Sequence, residues 1–153
     1  MLQRIQTVYL LIITGLIVGM AFLPLAALQA GETFYSFDVY GVHSIAPDAT
    51  LVYPVWGLFA LTAIIALLAF FAILLYKKRL LQIRICIFNA LLMIGFYGFF
   101  VFLVWTMKKE LGDLSVSVRI ALSFPLISLI LNYLAIRNIG ADEALVRSLE
   151  RLR

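Results

Sequence analysis

Few side chains in this sequence could do chemistry, and they stand apart from one another. Asn89 and Asn132 are carboxamides set inside long apolar runs, His43 is the only histidine, and Cys86 is the only cysteine. Asn89 falls early in the third apolar run and Asn132 late in the fourth, so antiparallel helices would bring them to similar depth. A hydrogen bond between them would join the two helices, at about 0.5–2 kcal/mol. The functional alternative is a pair that binds a polar ligand. The structural reading leads, because amides commonly hold apolar helices together.

The other candidates are weaker. Arg119 lies about one turn into the fourth run from its outer end and reads as a snorkelling cation or a partner for Asp113, Glu110 or an acid of the first loop. His43 and the acids Glu32, Asp38 and Asp48 are scattered singly through one polar segment, which suits a solvated loop better than a metal site. No nucleophile–base–acid set and no glycine-rich phosphate loop is recognisable. We therefore expect no catalytic residue, no cofactor, no metal and no enzymatic activity. The charged candidates are basic: Lys77, Lys78, Arg79 and Arg84 in a short central knot, and Arg147 and Arg151 in the tail. They read as a docking surface for anionic lipid or for another protein.

The elements that must position these residues follow from composition. Of the 153 residues 65% are apolar and only 13% charged, far from the balance of a soluble domain. The net charge of +4 fits basic loops on the cytoplasmic side of a membrane, so nucleic acid is not an expected partner. With one cysteine, no intramolecular disulfide can form.

Four apolar runs, over about 5–28, 51–76, 83–107 and 114–136, predict four transmembrane helices in an up-down antiparallel bundle, an all-α membrane fold in one domain. The first run is too long for the apolar core of a signal peptide and reads as a retained span. Gly15 and Gly19 allow close approach of another helix. Segment 29–50 predicts an outer loop with a small β-hairpin, with turns at Gly41 and Ala46-Pro47-Asp48-Ala49. Tyr53, Trp56 and Trp105 suit the membrane–water boundary. Pro125 predicts a kink in the fourth helix, with Ser123 and Ser128 taking up freed backbone groups. Gly140 predicts the end of that helix, and 137–153 a short amphipathic tail helix opened by Asp142 and Glu143.

Nine of the twelve basic residues fall at the termini and the central turn, and Lys108, Lys109 and Arg119 on the other side. This asymmetry places both termini in the cytoplasm. The opening Met1–Leu10, the tail Asp142–Arg153, and Phe22-Leu23-Pro24-Leu25 leading into Tyr40-Gly41 resemble a Bacteroidetes domain-of-unknown-function family (number 4293) of small four-helix inner-membrane proteins. The resemblance covers the whole chain and implies a multi-pass inner-membrane location but no activity. The sequence thus reads as a scaffold or accessory subunit of a membrane assembly, with the lipid bilayer and other membrane or cytoplasmic proteins as partners. The alternative is a small oligomeric transporter or channel for a lipid or apolar solute.

Overall fold

Four helices carry one buried seam each, with positions spaced alternately by four and three residues. The structure is a computed structural model describing residues 2–45, 47 and 50–153, with side chains from residue 5 onward. Helix α1 (Leu2–Met20) buries Gln6, Leu10, Ile13, Ile17 and Met20; α2 (Trp56–Leu74) buries Leu58, Thr62, Ile65, Ala69 and Ala72. In α3 (Arg79–Leu111) the seam runs from Gln82 to Met107, and in α4 (Phe124–Arg151) from Pro125 to Asp142. A repeat averaging 3.5 residues is that of helices meeting knobs into holes. The helices pack in a ring in which α1 touches α2 and α4, α2 touches α3, and α3 touches α4.

Unlike a water-soluble protein, the helices are as apolar outside as inside. The outward faces carry Leu11, Leu67, Phe70, Phe88, Leu91, Phe102 and Ile130, all exposed, while the seams enclose Gln6, Thr62, Gln82, Asn89, Ser128, Asn132 and Asp142. Exposed apolar surface of this extent is suited to contact with lipid. Trp56–Leu74, Arg79–Leu111 and Ile120–Arg151 are long and apolar enough to cross a membrane, and Ile5–Met20 is a shorter apolar helix.

The fold is not all-α. A five-stranded antiparallel sheet, in the order β4-β3-β2-β1-β5, closes one end of the ring. Its strands are β1 (Ala26–Ala30), β2 (Thr33–Phe37), β3 (Gly41–Ser44), β4 (Leu51–Pro54) and β5 (Leu114–Val118). The first apolar run therefore stops being helical at Met20, not residue 28: Pro24 restricts the residue before it, and 26–30 pairs with both β2 and β5. The fourth run likewise begins as a strand. Leu114-Ser115-Val116-Ser117-Val118 alternates with period two, and Gly112, at φ 78°, turns the chain out of α3 to deliver it. The expected bundle of four transmembrane helices with a hairpin is thus replaced by three candidate spans, a shorter apolar helix and the sheet.

Other expectations change with it. Pro125 lies at the start of α4, where a missing N–H is harmless, so it opens the helix and does not kink one. Gly140 lies within α4, which continues unbroken to Arg151, so there is no separate tail helix. The α3 helix is also longer than expected, at 33 residues or about 50 Å, and reaches beyond a hydrocarbon layer of about 30 Å. Asp48 and the Ala46 and Ala49 turn positions lie outside the described residues, as does the side chain of Arg4.

The β1–β2 hairpin turns through Gly31 and Glu32, with Gly31 at φ 63°. Gly41 is required for a different reason, close approach of a neighbouring strand. A Cβ there would lie 2.7 Å from Leu51 Cδ1 and 2.8 Å from the Tyr53 carbonyl oxygen. Gly41→Ala is therefore expected to destabilise the protein by about 1–3 kcal/mol in thermal unfolding in detergent, since a paired backbone cannot step aside. An unchanged melting temperature would show that the β3–β4 ladder is loose.

Candidate functional site at the basic end of the helix ring

The end of the ring opposite the sheet is built from the start of α1, the α2–α3 turn and the end of α4. Side-chain hydrogen bonds lace it together. Gln6 Nε2 donates to Asp142 Oδ2 at 2.6 Å, tying α1 to α4. Gln82 Nε2 donates to the Ala72 carbonyl at 2.9 Å, tying α3 to α2. Asn132 Nδ2 donates to the Cys86 carbonyl at 2.7 Å, tying α4 to α3. In each case a buried polar group meets an acceptor on the adjacent helix, which suits an interior without water.

Asn89 and Asn132 both lie on the facing seams of α3 and α4, 1% and 0% exposed. They do not exchange the side-chain bond expected of them. Asn132 donates instead to Cys86, the seam position next to Asn89, and Asn89 Oδ1, Asn132 Oδ1 and Ser128 Oγ have no hydrogen-bond partner among the described residues. Ser128 thus does not take up a backbone group. Gln6, Gln82 and Asp142 are interhelical residues that sequence reasoning missed. The available signal was polarity recurring at seam spacing, with Gln82 and Asn89 one heptad apart.

At the surface, Lys77, Lys78, Arg79 and Arg84 gather around a cleft of about 450 Å³, with Leu80, Leu81 and Glu143 completing its wall. Glu143, from the tail, bonds Arg147 Nε at 3.1 Å one turn along α4. The central knot and the tail therefore meet in space, and four of the six candidate docking residues line one cleft. Arg147 is attached to it through Glu143. Arg151 lies at the last turn of α4, exposed.

The sheet end holds the remaining candidates. Phe37 of β2 meets Phe100 of α3 edge-on at 5.0 Å, and Tyr40 stacks on Phe59 of α2 at 5.0 Å. His43 Nε2 stands 4.0 Å from Asp38 Oδ2, while Asp38 Oδ1 accepts the Ser36 hydroxyl at 3.0 Å. Among the described residues no three metal-binding side chains gather. Arg119 follows β5 in extended backbone, exposed, and its N–H donates to the Leu25 carbonyl at 3.0 Å. Trp56 and Trp105 are exposed at this end, with Lys109 Nζ 3.5 Å from the centre of the Trp105 ring.

A ring of helices apolar on the outside as well as within, three of them long enough to span a bilayer, has the features of a membrane protein. A family model described as a domain of unknown function (DUF4293) matches residues 2–152, and the chain belongs to that family. No curated protein matches the chain.

Proposed function

We propose that the protein is a non-enzymatic integral subunit of the bacterial inner membrane, a scaffold or accessory component of a larger assembly. Its basic end, and with it both termini, faces the cytoplasm. The observation that carries this reading is the overhang of α4. Gln6 pairs with Asp142, the last buried seam position of α4. Helix α4 runs on for about two and a half turns past Asp142. In the seam's register this overhang presents Val146 and Leu149, with Leu145 and, just past the helix end, Leu152 beside them, all four exposed. Apolar side chains that carry a packing seam past its last buried position are suited to a helix or groove of another protein.

The orientation rests on nine basic residues at this end against three at the other. Because Gly140 does not break α4, force or displacement at the overhang would pass directly into the membrane-embedded segment.

The test uses a photoreactive amino acid in place of Leu152, in cells, followed by mild detergent extraction. We expect crosslinking to one discrete protein, and a native particle larger than a monomer. Leu145→Asp with Leu149→Asp should weaken that association by on the order of tenfold to a hundredfold. A monomer that crosslinks to no protein would refute the assembly role.

A further inference from the structure

We propose that the cleft between the α2–α3 turn and α4 binds the phosphate headgroup of an anionic phospholipid from the surrounding bilayer. The inference rests on the membrane reading and is independent of any protein docking on α4.

Charge is the first argument. Lys77, Lys78, Arg79 and Arg84 converge on a space of about 450 Å³. The one carboxylate in its wall, Glu143, is already engaged by Arg147 at 3.1 Å. Among the described residues no carboxylate pairs with any of the four cations. A topology signal requires only that basic residues lie on one side of the membrane, not that they surround a common cavity.

The second argument is the helix end they occupy. Arg79 opens α3 and Lys78 is its N-cap residue, with no side-chain cap and no acid in the first turn. The first intrahelical bond is that of Gln82 N–H to the Lys78 carbonyl, at 3.0 Å, and the Lys78 N–H is taken by the Leu75 carbonyl at 2.9 Å, so the amides of Arg79, Leu80 and Leu81 are those a helix leaves without an internal acceptor. Cations at the positive end of a helix dipole repel it. An anion in the cleft would reverse that repulsion, meeting side-chain charges and backbone N–H groups together.

The third argument chooses the lipid over a free anion. Leu80 and Leu81, also in the cleft wall, are 49% and 41% exposed, where α3 enters its apolar stretch. A phosphate ion would leave both leucines unused. A phospholipid would lay its glycerol and upper acyl chain along them while its phosphate met the cations.

The experiment is native mass spectrometry of the full chain in neutral detergent. It is titrated with phosphatidylglycerol or with phosphatidylcholine of the same acyl chains. We expect phosphatidylglycerol to bind at least about tenfold more tightly. Arg79→Ala with Arg84→Ala should reduce its affinity about thirtyfold and leave phosphatidylcholine unchanged. Lys77→Ala with Lys78→Ala, confined to the exposed turn, should act in the same direction should the arginine variant fold poorly. Lys108→Ala with Lys109→Ala removes equal charge at the sheet end and should change affinity less than about twofold. The Leu145 and Leu149 variants should leave lipid binding intact, which separates this site from the docking overhang. Equal affinity for the two lipids, or equal loss in the sheet-end variant, overturns the site. Complete displacement by inorganic phosphate at matching concentration assigns the cleft to a free anion and overturns the lipid.

Discussion

Replacing Phe37 with alanine is expected to lower stability by about 3–5 kcal/mol, the loss typical of a buried aromatic side chain. Phe37 is fully buried where β2 meets the ring, between its register partners Ala26 on β1 and Val42 on β3. Its ring stands at 79° to that of Phe100. Edge-on aromatic pairs contribute about 0.5–1.5 kcal/mol beyond the area they bury. Phe37→Leu retains most of the volume and should lose roughly half as much. Urea unfolding in detergent measures both, and hydrogen exchange locates the effect. Faster exchange should appear first in β1, β2 and β3, because Phe37 joins the sheet to α3. A loss below about 1 kcal/mol, or uniform exchange through the helices, would show that the sheet does not depend on this contact.

The helical content was readable because α2 and residues 85–107 of α3 carry no charge over lengths sufficient for a bilayer. The strands were less so. In β5 the alternation of Leu114, Val116 and Val118 with two serines was a genuine strand signal, but it abuts the apolar start of α4 and merged with it. The five residues of β1, Ala-Ala-Leu-Gln-Ala, carry no alternation at all. Only Pro24 marked the change, and β1 is a strand because β2 and β5 flank it. Gly140 failed as a helix stop because a glycine within a packed helix costs only about 1 kcal/mol, less than the seam around it supplies. Membrane helices also conceal which face is inside, since lipid and protein interior are equally apolar. Here the seams were marked by polar residues instead. Asp142 read as the first-turn charge of a new helix, yet it points into the ring because α4 does not end before it. The basic knot and tail were legible as charge; their convergence on one cleft depends on how α3 and α4 lie beside each other, which no local pattern encodes.

The bond between Gln6 and Asp142 closes the ring between the first helix and the last, 136 residues apart in sequence. Its side chains are 4% and 8% exposed, so neither has much water to fall back on. Gln6→Leu leaves the Asp142 carboxylate without its donor and should destabilise the protein by about 2–3 kcal/mol, the range for hydrogen bonds to charged groups. Asp142→Leu leaves the Gln6 amide unsatisfied and should cost about 1–3 kcal/mol. The double replacement removes both polar groups together. It should be less damaging than the sum of the single changes, and near neutral if the two leucines pack, because no buried polar atom is then stranded. The double-mutant cycle, measured by unfolding in detergent, should give a coupling of about 1.5–3 kcal/mol. Additivity within about 0.5 kcal/mol would mean that water or another group satisfies the carboxylate, and that the ring is closed by its apolar seams alone.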